Sequence, residues 1–283
     1  MSLKNKTYLN ISSAGAALLV EFSDRALAEK IRTDDFLKKY IPDPVVREGR
    51  VSGPDCSLKI SRGPRFSVKL AYPSVDCVQP RRVDVRGLIS LMGYLLERAR
   101  AEKNVHSLHS SVVVKGGKAV VLFGGTTNLG KTSVAKAAGK VGWSFYSDEV
   151  ALIWSGRVIG GARVATNSDR FKDFILSADH GKYPIAVFVH PHIDNGLSEV
   201  VKWQKNKFLW HLKEELARKL RGGSKAVNFS SYPLESLDTF AIASARLKLA
   251  RRLADRVPCY EVRGTPEQIA ERIAKLKLRP AGN

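Results

Sequence analysis

Acidic side chains are in short supply in this sequence: 27 aspartates and glutamates face 47 lysines and arginines, a net charge of +20 over 283 residues. Such a charge draws anions towards the surface, whether nucleotides, phosphorylated metabolites, nucleic acid or anionic lipid. The basic residues are spread through helical stretches such as 98–103 and 246–256. No arginine-rich tail is present, and no basic run is interleaved with aromatic residues as a stacking platform for single strands requires. The charge therefore reads first as a solvated basic surface, with a nucleic acid or another polyanion left open as a partner. Cysteine is nearly absent. Cys56, Cys77 and Cys259 are odd in number and far apart, which excludes a CxxC zinc site and a disulfide framework. Each fits a small apolar position in a core. Long apolar runs are missing too, so no stretch approaches the roughly 20 residues of a membrane span. The start, Met-Ser-Leu-Lys, carries no charged-then-apolar leader, and a cytoplasmic location is the simplest expectation. No repeat and no low-complexity segment appears.

What is present is ordinary globular composition, 44% hydrophobic and 26% charged, enough to build a packed core. Residues 1–105 read as a small mixed α+β unit. A strand over 14–22 leads into a helix opened by Ser23 or Asp24, whose Leu27, Ile31, Phe36, Leu37 and Tyr40 share one side before Pro42 and Pro44 end it. Alternation over 56–62 and 66–72, on either side of Arg62-Gly63-Pro64, predicts a β-hairpin. A second helix is expected over 85–103, burying Leu88, Ile89, Met92, Leu95 and Leu96. The texture changes at 102–107, and 106–283 reads as a second domain. Strands over 109–114 and 119–123 meet at a Gly116-Gly117 turn. A glycine-rich loop and a helix over 132–141 follow, then strands over 144–146, 150–154 and 184–190. Helices are expected over 207–220 and 234–255, and a strand over 259–262 precedes a helix started by Thr265-Pro266-Glu267-Gln268. The stretches 156–182 and 221–233 read as loops.

One segment carries chemistry. Gly125-Thr126-Thr127-Asn128-Leu129-Gly130-Lys131-Thr132, followed by Ser133, matches GxxxxGK[ST] between a Val-Val-Leu-Phe strand and an alanine-rich helix, the context that gives this pattern its meaning. In such a P-loop (Walker A) the glycines let backbone N–H groups turn inward on phosphate oxygens. The helix start adds its positive end. Lys131 reaches the β- and γ-phosphates, and the Thr132 hydroxyl ligates magnesium. ATP and Mg2+ are the implied substrate and ion. The pair Asp148-Glu149, at the end of the next strand, supplies carboxylates for metal coordination and general-base work on a hydroxyl. His109, one strand earlier, fits a packed residue at least as well as a catalytic one when taken alone.

Together, Leu108-His109-Ser110-Ser111, the loop Gly-Gly-Thr-Thr-Asn-Leu-Gly-Lys-Thr-Ser and Ser147-Asp148-Glu149-Val150 resemble the HPr kinase/phosphorylase group, whose nucleotide-binding core is shared with phosphoenolpyruvate carboxykinase. The closing stretch 255–262 and its following helix are similar as well. The resemblance implies an α/β fold, a P-loop kinase core with a smaller N-terminal α+β domain. It also implies an ATP-dependent kinase acting on a hydroxyl acceptor. It casts Asp148 as base, Lys131 on the phosphates, Thr132 and Glu149 at the metal, and His109 beside the moving phosphoryl group. The family has two aspartates where this chain has Asp148-Glu149. Its glycine-rich segment for HPr is unmatched by Gly160-Gly161-Ala162-Arg163, which points to a free small molecule or a peptide as acceptor. An HPr-type serine kinase and an ATP-driven switch that engages a polyanion stay open as alternatives. Arg163, Asn167 and Arg170 are candidate acceptor contacts, and an assembly of identical chains is compatible with the family.

Overall fold

Alternation of apolar and polar residues at the start of the chain builds a pair of strands where a single one was expected. The computed structural model describes residues 6–80, 82–125, 129–162, 181–221, 223–227 and 229–276. It is mixed α/β, with two mixed sheets and, among the described residues, seven helices. By its contacts the chain divides into two compact units, Met1–Lys103 with Lys219–Ile242, and Asn104–Arg218 with Ala243–Asn283. The single boundary expected near residue 105 thus has a companion: the segment after Arg218 returns to the first unit.

In that unit β1 (Thr7–Ser13) turns back through Ala14-Gly15 onto β2 (Ala16–Phe22). The helical stretch that follows is two helices, α1 (Arg25–Thr33) and α2 (Asp35–Tyr40). Asp34 separates them because its carboxylate accepts from the Phe36 N–H and caps the second. After β3 (Val45–Glu48) come β4 (Cys56–Arg62), β5 (Ser67–Ala71) and β6 (Ser74–Gln79). The sheet order is β3-β1-β2-β4-β6-β5, so the β4–β5 hairpin read from the sequence is not formed. Instead β6 lies between them, parallel to β4 and antiparallel to β5. Burial explains the choice, since β6 brings Val75 and Cys77 into the core while β5 has no fully buried residue. Helix α3 (Val85–Glu102) covers this sheet with Leu88, Ile89, Met92, Leu95 and Leu96, all fully buried as the spacing predicts.

The second unit begins with β7 (His106–Leu108), β8 (Ser110–Lys115) and β9 (Lys118–Phe123), then α4 (Lys131–Lys140), β10 (Ser144–Ser147), β11 (Ala151–Trp154) and β12 (Arg157–Gly161). Next come β13 (Tyr183–Ile193), β14 (Glu199–Lys202) and α5 (Lys205–Ala217). The stretch 221–233, expected as a loop, forms the hairpin β15 (Gly223–Val227) and β16 (Ser230–Leu234) of the first unit. Helix α6 (Phe240–Arg256) starts six residues later than its hydrophobic pattern indicated, because β16 takes up Leu234. The chain closes with β17 (Cys259–Gly264) and α7 (Pro266–Lys275), opened by the anticipated capping box of Thr265 and Gln268. No helix among the described residues is long and apolar enough to cross a membrane.

The sheet of this unit runs β10-β8-β9-β13-β12-β11-β7, with β17 also on β13 and β14 on β17. Strands β9, β13 and β17 are parallel, so their carboxyl ends share one edge, where ligands of open α/β sheets bind. Both faces are covered. Val121 and Phe123 of β9 pack with α5 and α6, whereas Val120 and Leu122 pack with α4 and α7.

Candidate functional site

Strand β9 ends in Phe123, whose ring meets Phe188, Trp203 and Phe208 edge-on. Burial there anchors the point where the backbone turns into the loop. Gly124 follows at φ +151°, and a Cβ on it would strike Leu129 at 2.5 Å and approach the His190 ring at 3.1 Å. Gly130, at φ +76°, caps α4 with no side chain, and a Cβ there would meet Ile193 of β13 at 2.3 Å. Both positions demand glycine, by conformation and by space. Thr126, Thr127 and Asn128 lie outside the described residues, as do the candidate acceptor contacts Arg163, Asn167 and Arg170. Ser133 is exposed on the first turn of α4.

Lys131 is buried at the start of α4, and its Nζ donates to the Gly124 carbonyl at 3.2 Å. Burial pushes its pKa down, while Glu149, Glu215 and Asp148 pull the other way. One turn face along, the Thr132 hydroxyl donates to the Asp148 carboxylate, 3.0 Å from Oδ2 and 3.2 Å from Oδ1. Ser111 of β8 donates to Asp148 Oδ1 from the other side. Asp148 is almost fully buried, and burial raises its pKa above the ordinary carboxylate value; the hydrogen bonds from Ser111 and Thr132 only partly offset this.

The backbone around this carboxylate is held tightly. Asp148 N–H donates to the Ala162 carbonyl at 2.9 Å, and Val150 N–H closes onto the Asp148 carbonyl at 2.7 Å. The residue inside that ring, Glu149, has φ +63°, the strained form of a three-residue turn. Strain of this kind costs about 1–3 kcal/mol and gathers at functional sites. His109, between β7 and β8, donates from Nδ1 to the Glu149 carbonyl at 2.8 Å, and the Glu149 carboxylate stands 3.6 Å from the same nitrogen. His109, Lys131, Thr132, Asp148 and Glu149, singled out over forty positions of sequence, therefore converge, and His109 is tied to the strained turn.

The donor set is chemically suited to magnesium. A threonine hydroxyl beside a carboxylate, with a second carboxylate adjacent, offers hard oxygen ligands. Among the described residues no group of three or more His, Cys, Asp and Glu gathers to hold a metal alone.

Three contributors were not recognised from the sequence. Ser111 lies beside His109 in the sequence, but its hydroxyl faces Asp148 only because β8 pairs antiparallel with β10, the strand that ends at Ser147. Helix α5 brings Glu215 and Arg218 to the start of the loop. Glu215 Oε1 lies 2.7 Å from where a Gly125 Cβ would stand, and Arg218 Nη1 donates to the Gly125 carbonyl at 2.6 Å. The polar stripe His211, Glu215, Arg218 at helical spacing was the available signal, and nothing local said what it faces. His190 of β13, stacked at a tilt on Trp203, forms the third wall, its pKa lowered to about 4 by burial, so the ring is neutral at pH 7. The chain matches no protein-family model and no curated protein.

Proposed function

We propose that this protein is an ATP-dependent kinase, with a P-loop core of the HPr kinase/phosphoenolpyruvate carboxykinase type, that transfers the γ-phosphate to a hydroxyl on a small molecule or a peptide. The observation that carries the reading is the contact of Thr132, at the start of the helix after the glycine loop, with the buried Asp148 carboxylate. A phosphate-cradling loop could serve many purposes. A carboxylate hydrogen-bonded to its Thr, with a pKa raised by burial, is suited to proton abstraction from an alcohol.

In this reading the inward N–H groups and Lys131 hold the β- and γ-phosphates, leaving the carbonyl of Gly124 for a phosphate oxygen. Thr132 and the carboxylates of Asp148 and Glu149 would hold magnesium, which when bound would offset phosphate charge. The acceptor oxygen forms its bond to the γ-phosphorus as the bond to the ADP oxygen breaks, and the acceptor proton passes to Asp148. Ser111 orients that carboxylate, and His109 holds the turn carrying Glu149.

ADP release from Mg-ATP against a panel of acceptors (serine, threonine, polyols, sugars, a serine peptide, HPr) tests the reading. Asp148→Asn should retain ATP binding and lose at least about a hundredfold in acceptor-stimulated turnover. Turnover equal to the wild type would remove Asp148 as base. The charge of +20 favours a second reading, an ATP-governed switch on a polyanion. A steep loss of DNA or RNA affinity with salt, without acceptor-stimulated turnover, would support it.

A further inference from the structure

The end of α5 is an unfavourable neighbour for phosphate. A helix C-terminus carries partial negative charge, and this one adds the buried carboxylate of Glu215 against Gly125. The cation that offsets both is Arg218, the residue that closes the helix. Its Nη1 is 2.6 Å from the Gly125 carbonyl, while the nearest Glu215 oxygen stands 3.8 Å away, beyond hydrogen-bond range. A guanidinium thus donates its short bond to a neutral acceptor, and its side chain is 47% exposed. Phosphate oxygens form charge-assisted bonds about twice as strong as neutral ones, so an arriving phosphate would displace the carbonyl without unburying the arginine.

Position selects which phosphate. Lys131, whose role in such loops is to reach the β- and γ-phosphates, points its Nζ at the carbonyl of Gly124. Arg218 holds the next carbonyl along the same strand end. Both cations therefore meet adjacent carbonyls at the end of β9, and a phosphate that Lys131 reaches would come within reach of Arg218 as well.

We propose that Arg218 is a catalytic residue supplied within the chain: it leaves the Gly125 carbonyl when the nucleoside triphosphate binds, donates to γ-phosphate oxygens and stabilises their charge as the bond to ADP breaks. The inference rests on the ATP reading given above.

Equilibrium binding of Mg-ADP and of a non-hydrolysable Mg-ATP analogue to the wild type, Arg218→Ala and Arg218→Lys separates the two levels. The wild type should bind both nucleotides. Arg218→Ala should weaken the analogue about tenfold to a hundredfold and leave ADP within about twofold, the retained ADP affinity showing that the site is still folded. Arg218→Lys should recover part of the analogue affinity but little of the turnover, since a point charge lacks the planar fork. Equal weakening of both nucleotides, or of neither, would overturn the role of Arg218 while ATP binding stands. A wild type that binds neither nucleotide would overturn the ATP reading itself.

Discussion

Asp148 sits where two demands on one carboxylate conflict. Burial disfavours its charge and raises its pKa above the ordinary 3.8, whereas the metal binding and proton abstraction proposed for it require it ionised. The nucleotide-free protein therefore bears a cost whose sign follows from linkage. The native carboxyl keeps its proton at pH values where the unfolded chain has released it, so this group lowers stability as pH rises from 3.8 through the native pKa. Asp148→Asn should accordingly raise the melting temperature of the nucleotide-free protein at pH 7 and leave it nearly unchanged at pH 3, the reverse of its effect on turnover. A melt at both pH values checks this, and a lower melting temperature at pH 7 would mean that the Ser111 and Thr132 hydrogen bonds outweigh desolvation. Part of this contact was legible: the GxxxxGK[ST] spacing singles out Lys131 and Thr132, the strand end singles out Asp148, and the Thr132 hydroxyl does meet the Asp148 carboxylate. Ser111, Glu215 and Arg218 were not, because each acts through a neighbour remote in sequence.

At the scale of elements, one ion cluster ties β17 to the start of α5. Glu261 accepts from Arg263 at 2.8 and 3.0 Å, from Trp203 Nε1 at 3.0 Å and from Lys207 at 3.3 Å. Burial alone would raise its pKa, but these donors outweigh it and bring the carboxyl to about 2 from 4.5. The depressed value means that the stabilisation is complete above 4.5 and is lost as pH falls through about 2, at most about 3 kcal/mol. Denaturant unfolding across that window should show the loss, and Glu261→Gln should flatten it. The elements themselves were read with uneven success. The α3 periodicity, the Gly116-Gly117 turn and the Thr265 capping box are written within a few residues of the structure they specify. The β4–β5 pairing misled because two alternating runs beside a Gly-Pro turn look the same whether they pair with each other or with a third strand between them.

Over the whole molecule, the organisation departs from a simple succession of domains. The segment 219–242 leaves the second unit and completes the first, where buried Tyr94 of α3 donates to the Glu235 carbonyl at 2.6 Å and accepts from the Leu237 N–H at 3.2 Å. Arg98 adds a bond to the Leu237 carbonyl. Tyr94→Phe takes this donor from the Glu235 carbonyl, while the Leu237 N–H keeps the Leu220 carbonyl at 3.2 Å, and should cost the first unit about 1 kcal/mol. Thermal unfolding with and without Mg-ATP should show that unit weakened, and the stabilisation that the proposed ATP binding would give the second unit retained. A loss of nucleotide-dependent stabilisation would contradict the division. The glycine loop, the helix after it and the caps are short-range codes, set by φ, spacing and hydrogen-bond chemistry among near neighbours, and they could be read before any fold was known. Strand order, the return of 219–242 and the meeting of Arg218 with Gly125 depend on which apolar faces bury each other across scores of residues. Periodicity specifies that a face is apolar but not its partner, so packing alone made those choices.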